Sequence, residues 1–243
     1  MRYRALILNT QQFKDNDLLI KVLLDTGEKI NVKSKAIKKI TSRNLTKIEV
    51  GNYVEVNLIQ GKTMQILTEI RVLNNFNELK TSVVSTATWL ILEAIQFLPD
   101  LQDIRTFDIA IEILTKCNEH SKNNLELISY TLCIFFAELL KIIGVTINFD
   151  NFANNNQKIK KTDNIFVDSS LGFCSYNSGI QIDATTFKVI RFVSDGDFEQ
   201  LIKTNFSADK IYLSSALSTF IFWFESLVAR KLNSYRLFAT RSL

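Results

Sequence analysis

Seven basic side chains lie between positions 29 and 47 of this 243-residue chain, and no acidic residue separates them. They are Lys29, Lys33, Lys35, Lys38, Lys39, Arg43 and Lys47. Closely spaced cations displace counterions from a nucleic-acid backbone, which gives an affinity that depends strongly on salt and little on base sequence. A solvated loop is the alternative, but ordinary surface loops mix the two signs of charge. The stretch therefore predicts a DNA-binding surface that contacts phosphates.

The distribution of charge along the chain favours the same interpretation. Residues 1–80 carry 14 basic and 8 acidic side chains, whereas residues 81–243 carry 15 and 17. The formal net charge of +4 thus arises entirely from the first third of the chain. A basic surface concentrated in one region is typical of a nucleic-acid-binding domain.

The remaining reactive residue types do not form a catalytic or metal-binding set. His120 is the only histidine, and Cys117, Cys133 and Cys174 lie far apart with no CxxC pair. A closed zinc site needs four nitrogen or sulfur ligands, and an enzyme needs a base near its reacting group. We therefore expect no catalytic residue, no metal and no cofactor, and we expect the cysteines to be reduced and structural. An enzymatic function is disfavoured.

The elements that must position the basic residues come from the first seventy positions. Short apolar runs alternate there with polar turns at 25–28 and 60–62, a pattern typical of strands joined by hairpins. Five such runs predict a small β-barrel. In the third run, Ile30 and Val32 alternate with Lys29 and Lys33, so period two directs the lysines away from the core.

Helical spacing follows after the asparagine-rich stretch 74–77. Helices are predicted over 83–98, which stops before Pro99, then around 104–114, and over 125–143, which ends at Gly144. The pattern fails over 145–184, which predicts an irregular inserted lobe, and it resumes to position 232. No uncharged apolar run is long enough for a membrane span and no signal peptide is evident, so we expect a cytoplasmic protein.

Several segments of this sequence resemble the bacterial RecO family of DNA repair proteins. They are ALIL at 5–8, FKDND at 13–17, VKSKAIKK at 32–39, LKIIG at 140–144, RK at 230–231 and SYRLF at 234–238. The segments stand in the family's order and span nearly the whole chain. The resemblance implies an α+β protein with a five-stranded OB-fold barrel at residues 1–76 and a mainly helical domain at 77–243. Residues 145–184 correspond to the family's zinc lobe, but only Cys174 remains there, so no metal is carried over.

The function implied by the resemblance is that of a non-enzymatic recombination mediator. Such a protein binds single- and double-stranded DNA, anneals complementary strands, and acts with RecR and single-stranded DNA-binding protein to load the RecA recombinase in gap repair. An alternative is a general DNA- or RNA-binding OB-fold protein whose helical half is a docking or dimerisation module. Strand annealing distinguishes the two.

A second site is expected in the helical half. The family captures the acidic, aromatic-ended tail of single-stranded DNA-binding protein, and such a tail needs fixed cations beside an apolar groove. The residues predicted to bind it are Arg230, Lys231, Arg236, Phe220 and Phe224.

Overall fold

The computed structural model of the protein describes residues 1–13, 17–35, 47–81, 85–119, 125–160, 163–170, 172–176, 179–204 and 209–242. The chain forms two compact units, residues 1–118 and 119–243. The first unit contains the barrel and three helices, whereas the sequence places the domain boundary after residue 76. The helices belong with the barrel because the second of them lies against it. The side-chain amide of Gln96 donates to the carbonyl of Leu8 at 3.1 Å.

Five strands form the predicted barrel, and the OB-fold assignment is confirmed. The strands are β1 (Arg2–Phe13), β2 (Asp17–Leu24), β3 (Lys29–Ser34), β4 (Tyr53–Gln60) and β5 (Gln65–Asn74). They close in the order β1-β2-β3-β5-β4, in which β3 and β5 are parallel and the other hydrogen-bonded pairs are antiparallel. Closure leaves the barrel without a free sheet edge.

The alternation of apolar and polar residues places one side of each strand in the barrel core. The buried residues include Ala5, Ile7, Ile20, Val22, Val32, Val54, Val56, Leu67 and Ile70. The long strand β1 pairs with two neighbouring strands: residues 2–6 pair with β4, and residues 5–13 pair with β2. An irregularity between Ile7 and Asn9 accommodates this change, as bulges commonly do where barrel strands bend.

Three helices complete the first unit: α1 (Asn77–Thr81), α2 (Ser85–Phe97) and α3 (Ile104–Glu119). The sequence predicts α2 and α3 but not α1, which is only five residues long. Gly27, in the β2–β3 turn, has a φ of +83°, and a Cβ there would lie 2.5 Å from the Asp103 backbone. A residue with a side chain does not fit, so Gly27 allows the turn to lie directly against the start of α3.

The second unit is built on α4 (Leu125–Ile142), which is buried along most of its length. It is followed by α5 (Ala184–Asp195), α6 (Phe198–Lys203), α7 (Lys210–Val228) and α8 (Asn233–Ser242). Helix α4 packs against α5, α6 and α7, and it ends as predicted, with Gly144 at a φ of +83°. Among the described residues α7 alone is long and apolar enough to cross a membrane, but its apolar side packs on α4 and α5.

The inserted lobe is more regular than its sequence suggests. Three short strands, β6 (Ile165–Asp168), β7 (Gly172–Cys174) and β8 (Ile180–Ile182), form a sheet in the order β7-β6-β8. Phe173 from this sheet lies with its ring centroid 4.8 Å from Phe187 and 5.4 Å from Phe149. The indole nitrogen of Trp223 donates to the Asp168 carbonyl at 3.0 Å. Aromatic packing therefore stabilises this lobe.

Candidate nucleic-acid interface

The outer surface of β1, β2 and β3 carries the residues best placed to bind a nucleic acid. OB-folds bind oligonucleotides on the outer surface of strands 2 and 3, together with the β1–β2 and β4–β5 turns. We call this surface the barrel face, and its members are Asn9, Gln11, Phe13, Leu19, Lys21, Asn31 and Lys33. Strand pairing orders them in rows, because Lys21 lies opposite both Asn9 and Asn31, and Leu19 lies opposite both Gln11 and Lys33.

The barrel face contains a shallow depression of about 270 Å³, lined by Asn9, Gln11, Leu19, Lys21, Asn31 and Gln96. No ion pair joins Lys21 to another described residue, and its side chain is partly exposed, so its ammonium group can reach a phosphate. The flanking amides donate and accept hydrogen bonds without adding negative charge. This combination of one cation with neutral polar groups suits a sugar–phosphate backbone. The sequence interpretation missed Lys21 because it lies outside the basic stretch.

Lys29 does not belong to the barrel face, which corrects the prediction. Period two does turn its side chain out of the barrel, but α2 covers that position and leaves the side chain only 6% exposed. Its ammonium group donates to the carbonyls of Ile95 and Leu98 and lies 3.2 Å from Asp100. Burial lowers the pKa of Lys29 despite Asp100. A cation in this position satisfies carbonyls at the end of a helix and complements its dipole.

Lys33 lies on the barrel face, but it is already paired. Its Nζ atom is 2.9 Å from the Asp17 carboxylate and 5.0 Å from the centroid of the Phe13 ring. A phosphate would have to compete with Asp17 for this ammonium group. Lys33 therefore contributes less free positive charge than its position in the sequence suggests.

The other predicted DNA-binding residues fall into three groups. Lys35 is exposed directly after β3, beside the barrel face. Lys38, Lys39 and Arg43 lie outside the described residues. Lys47 donates to the Ile70 carbonyl at 3.3 Å, and it lines a different depression with Glu55 and Glu69, on the wall formed by β4 and β5. The described part of the basic stretch is thus divided between two walls of the barrel.

The β4–β5 turn adds a cation that the sequence interpretation did not select. Gln65, the first residue of β5, pairs with Val32 of β3, so the turn just before it lies beside the barrel face. Lys62 is exposed in this turn. The described cations around the barrel face are therefore Lys21, Lys33, Lys35 and Lys62.

The predicted tail-binding site in the second unit is not formed as expected. Phe220 and Phe224 are fully buried, and the Phe224 ring centroid lies 5.4 Å from that of Phe136 in α4. Both rings belong to the core and cannot line a groove, because the apolar stripe of α7 packs against α4. Lys231 forms an ion pair with Glu225 at 2.6 Å. Arg230 and Arg236 are exposed.

A different part of the second unit combines cations with accessible apolar surface. A cavity of about 310 Å³, which we call the lobe cavity, lies between the inserted lobe and α5. Its apolar walls include Phe149, Ile159, Ile165 and Phe187, and its charged residues are Lys158, Lys160, Lys188, Arg191 and Asp150. Arg191 is paired with Asp150 at 3.2 Å, and the three lysines supply the remaining positive charge. The arrangement fits an apolar group that carries carboxylates.

The cysteines are poorly suited to metal binding or catalysis. All three are buried, and burial raises the pKa of the Cys117 thiol to about 12 and that of Cys133 still further. A metal ligand or nucleophile must be a thiolate, which these environments disfavour. Within the described ranges, no three His, Cys, Asp or Glu side chains are grouped closely enough to hold a metal ion. His120 lies outside those ranges.

Comparison with known proteins adds independent information about this arrangement. Residues 1–76, which contain the whole barrel, match the family described as Recombination protein O N terminal. A DNA repair protein RecO of Clostridium novyi is 26% identical over 200 residues, which cover 78% of this chain and 75% of the relative. A RecO of Clostridium perfringens is 27% identical, covering 86% and 81%. A RecO of Mycoplasma mycoides is 25% identical, covering 83% and 84%.

Proposed function

Because this chain is a divergent member of the RecO family of DNA repair proteins, we propose that it is a DNA-binding recombination mediator. The relatives' names support a role in DNA repair, and they denote no chemical reaction. The mediator binds single strands on its barrel face and anneals them to their complements. With RecR, it loads the RecA recombinase in gap repair. The relatives are bacterial DNA repair proteins, and bacterial DNA lies in the cytoplasm, so the proposal places this protein there as well.

The observation that carries this proposal is the position of Lys21, Lys35 and Lys62 around the β1–β2–β3 wall. This wall is the one that OB-folds use for oligonucleotides. The predicted cations at Lys38, Lys39 and Arg43 extend the same chain segment beyond Lys35. Annealing requires that the protein hold the backbone and leave the bases free to pair. Cations that contact phosphates meet this requirement, because they do not occupy base edges.

The direct test is a fluorescence annealing assay with complementary strands, either bare or coated with single-stranded DNA-binding protein. We expect Lys21→Glu/Lys35→Glu to reduce DNA binding and annealing together. The salt slope should fall by about 1.4 units, since each neutralised phosphate on a single strand contributes about 0.7. The control is Lys203→Glu/Lys210→Glu, which makes the same charge change at exposed positions of the second unit.

Two results would oppose the proposal. If both double variants lose binding equally, net charge rather than the barrel face determines affinity. If the parent protein binds DNA but does not anneal it, the alternative of a general single-strand-binding protein is favoured.

The lobe cavity supports a second element of the same function, capture of the tail of single-stranded DNA-binding protein. An acidic tail that ends in an aromatic residue presents carboxylates and a phenyl ring. The lysines Lys158, Lys160 and Lys188 can pair with the carboxylates, and the apolar wall around Phe149 can bury the ring. This location replaces the one predicted around Phe220 and Phe224. Isothermal titration with a peptide of this type tests it, and Lys158→Glu/Lys188→Glu should weaken binding at least tenfold.

A further inference from the structure

The indole ring of Trp89 is exposed in the middle of a buried helix. Helix α2 has eight buried residues among its thirteen, and Leu90, next to Trp89, is fully buried. Trp89 itself is 52% exposed. A tryptophan side chain can bury 150–250 Å² of surface, and each Å² of apolar area removed from water stabilises by about 25 cal/mol. The fold leaves much of this stabilisation unused at Trp89.

Trp89 lies on the side of α2 that leads to the barrel face. Residues 89, 93 and 96 are spaced by four and three positions, so Trp89, Glu93 and Gln96 share one stripe of the helix. Gln96 donates to the Leu8 carbonyl at 3.1 Å and lines the depression that contains Lys21 and Asn31. Seven residues of helix separate Trp89 from Gln96 by about 10 Å. Trp89 therefore lies about 10 Å along α2 from the residue with which the helix borders the barrel-face depression.

The charges nearby indicate which part of a nucleic acid could contact the ring. Glu93, which lies between Trp89 and Gln96 on this stripe, offers no cation to a phosphate. Lys21 attracts phosphates on the other side of Gln96. A strand bound to the barrel face would thus place its backbone near Lys21 and present a base, not a phosphate, to Trp89. About three stacked nucleotides at ~3.4 Å each would span the ~10 Å along α2 between Gln96, at the edge of the depression that contains Lys21, and Trp89.

We propose that Trp89 is a stacking platform for an unpaired base of a strand held on the barrel face, and that it makes the protein prefer single strands to duplex. A base can stack on a protein ring only when its own face is accessible, and in a duplex both faces are occupied by neighbouring base pairs. Stacking on an aromatic side chain is tolerant of sequence because every base has a π face. The inference rests on the proposed function, since it requires DNA on the barrel face.

Intrinsic fluorescence provides a direct measurement. The chain has two tryptophans, and Trp223 is buried with its indole nitrogen bonded to the Asp168 carbonyl. The exposed indole of Trp89 should therefore dominate the long-wavelength emission. We expect oligothymidine to quench this emission in a saturable manner, and a duplex of equal length to bind without comparable quenching.

Two substitutions separate stacking from a structural role. Trp89→Ala should weaken single-strand binding about tenfold, the effect expected of one stacked base, and leave duplex binding unchanged. Trp89→Phe should remove the quenching signal but keep most of the affinity, because a phenyl ring still stacks. Trp89→Phe should keep a melting temperature close to the parental one, whereas Trp89→Ala should melt at a lower temperature but remain folded by circular dichroism at the assay temperature, because nearly half of the side chain is buried.

Each other outcome has a distinct meaning. If the parent binds neither DNA form, the proposed function itself fails. If the parent binds single strands but Trp89→Ala binds them equally well, the platform is overturned and the proposed function remains. If Trp89→Ala weakens single-strand and duplex binding equally, Trp89 does not select single strands. If it changes only self-association, measured by light scattering, the ring contacts a second copy of the chain and the proposal is wrong.

Discussion

The barrel face and the lobe cavity both place lysines close to aromatic rings, but the two surfaces differ in shape and in what surrounds the charge. On the barrel face the cations lie along a curved, open wall, and the groups between them are the neutral amides of Asn9, Gln11 and Asn31. In the lobe cavity the cations surround a recess whose walls include Phe149 and Phe187. An open wall can follow a polymer, whereas a recess can receive only a side chain or a chain end.

The difference shows that a cluster of cations does not define its ligand. A phosphate backbone needs repeated contacts at spacings that a strand provides, and the energy comes mainly from released counterions. A carboxylate-bearing aromatic group needs few charges, and burial of its ring supplies much of the energy. The number of lysines alone would not distinguish the two surfaces.

Reciprocal charge reversals test this comparison and should give the largest effects. Lys21→Glu/Lys35→Glu should weaken single-strand DNA binding at least tenfold and leave binding of the acidic, aromatic-ended peptide unchanged. Lys158→Glu/Lys188→Glu should do the reverse. The parent should also show a steeper salt dependence for DNA than for the peptide, because counterion release dominates only the former. Fluorescence anisotropy with both labelled ligands measures all four combinations.

The comparison fails if either double variant weakens both ligands to the same degree. Such a result would mean that a general electrostatic field, and not the local shape, determines what each surface binds. Circular dichroism and thermal melting must show that each variant is folded before its affinities are compared.

A second contrast lies within β3, where two lysines on the same side of the strand have different roles. Lys29 is buried under the end of α2, and Lys33 lies on the barrel face beside Asp17. We expect Lys29→Met to destabilise the protein by about 1–3 kcal/mol, because the Ile95 and Leu98 carbonyls lose their donor in a partly buried place. DNA affinity should stay within twofold of the parent value. Urea unfolding and DNA titration measure the two effects.

The matched control is Asp100→Asn, which removes the charge partner of Lys29. The Asp100 side chain is 74% exposed, so its ion pair should contribute less than about 1 kcal/mol.

Burial lowers the pKa of Lys29 in the folded protein below its ordinary value of 10.5, which the unfolded chain keeps. At a pH between the folded and the unfolded pKa, the unfolded chain therefore binds the proton more strongly. The Lys29 contribution to stability should therefore rise with pH through that window, and Lys29→Met should lose this dependence. If Lys29→Met and Asp100→Asn lose the same amount of stability, the stabilisation comes from the ion pair and not from the hydrogen bonds to the carbonyls.

The sequence predicts the barrel well because the pattern that identifies each strand lies within that strand. Alternation within each strand determines which residues face the core, and that period correctly turns Lys29 and Lys33 outward. It cannot show that α2, more than fifty positions later in the chain, covers Lys29. The same limit explains Phe220 and Phe224. Helical spacing shows that they share a face, but it does not show that α4 buries that face.

Other features were missed because their signals are weak in a single sequence. Strands β6, β7 and β8 have three or four residues each, too few for a period to be recognised. Lys158 and Lys188, which are thirty positions apart, line the same lobe cavity only because the lobe packs on α5. Lys21 could have been found by extending strand pairing, because its neighbours across β1 and β3 follow from the hairpin register. Trp89 required knowledge of which helix face is exposed.

The smallest predicted effect concerns Asp17, and it tests whether Lys33 belongs to the DNA-binding cations. Asp17→Asn removes a negative charge from the barrel face and frees Lys33 from its 2.9 Å ion pair. Single-strand affinity should increase about two- to fivefold, which corresponds to the ~0.4–1 kcal/mol typical of a partly exposed ion pair. The salt slope should steepen by about 0.7, the contribution of one additional phosphate contact. In Asp17→Asn/Lys33→Met both gains should disappear, because the released ammonium group is absent. If the double variant binds as well as Asp17→Asn alone, the gain comes only from reduced repulsion, and Lys33 serves to hold the Phe13 ring in place rather than to contact DNA.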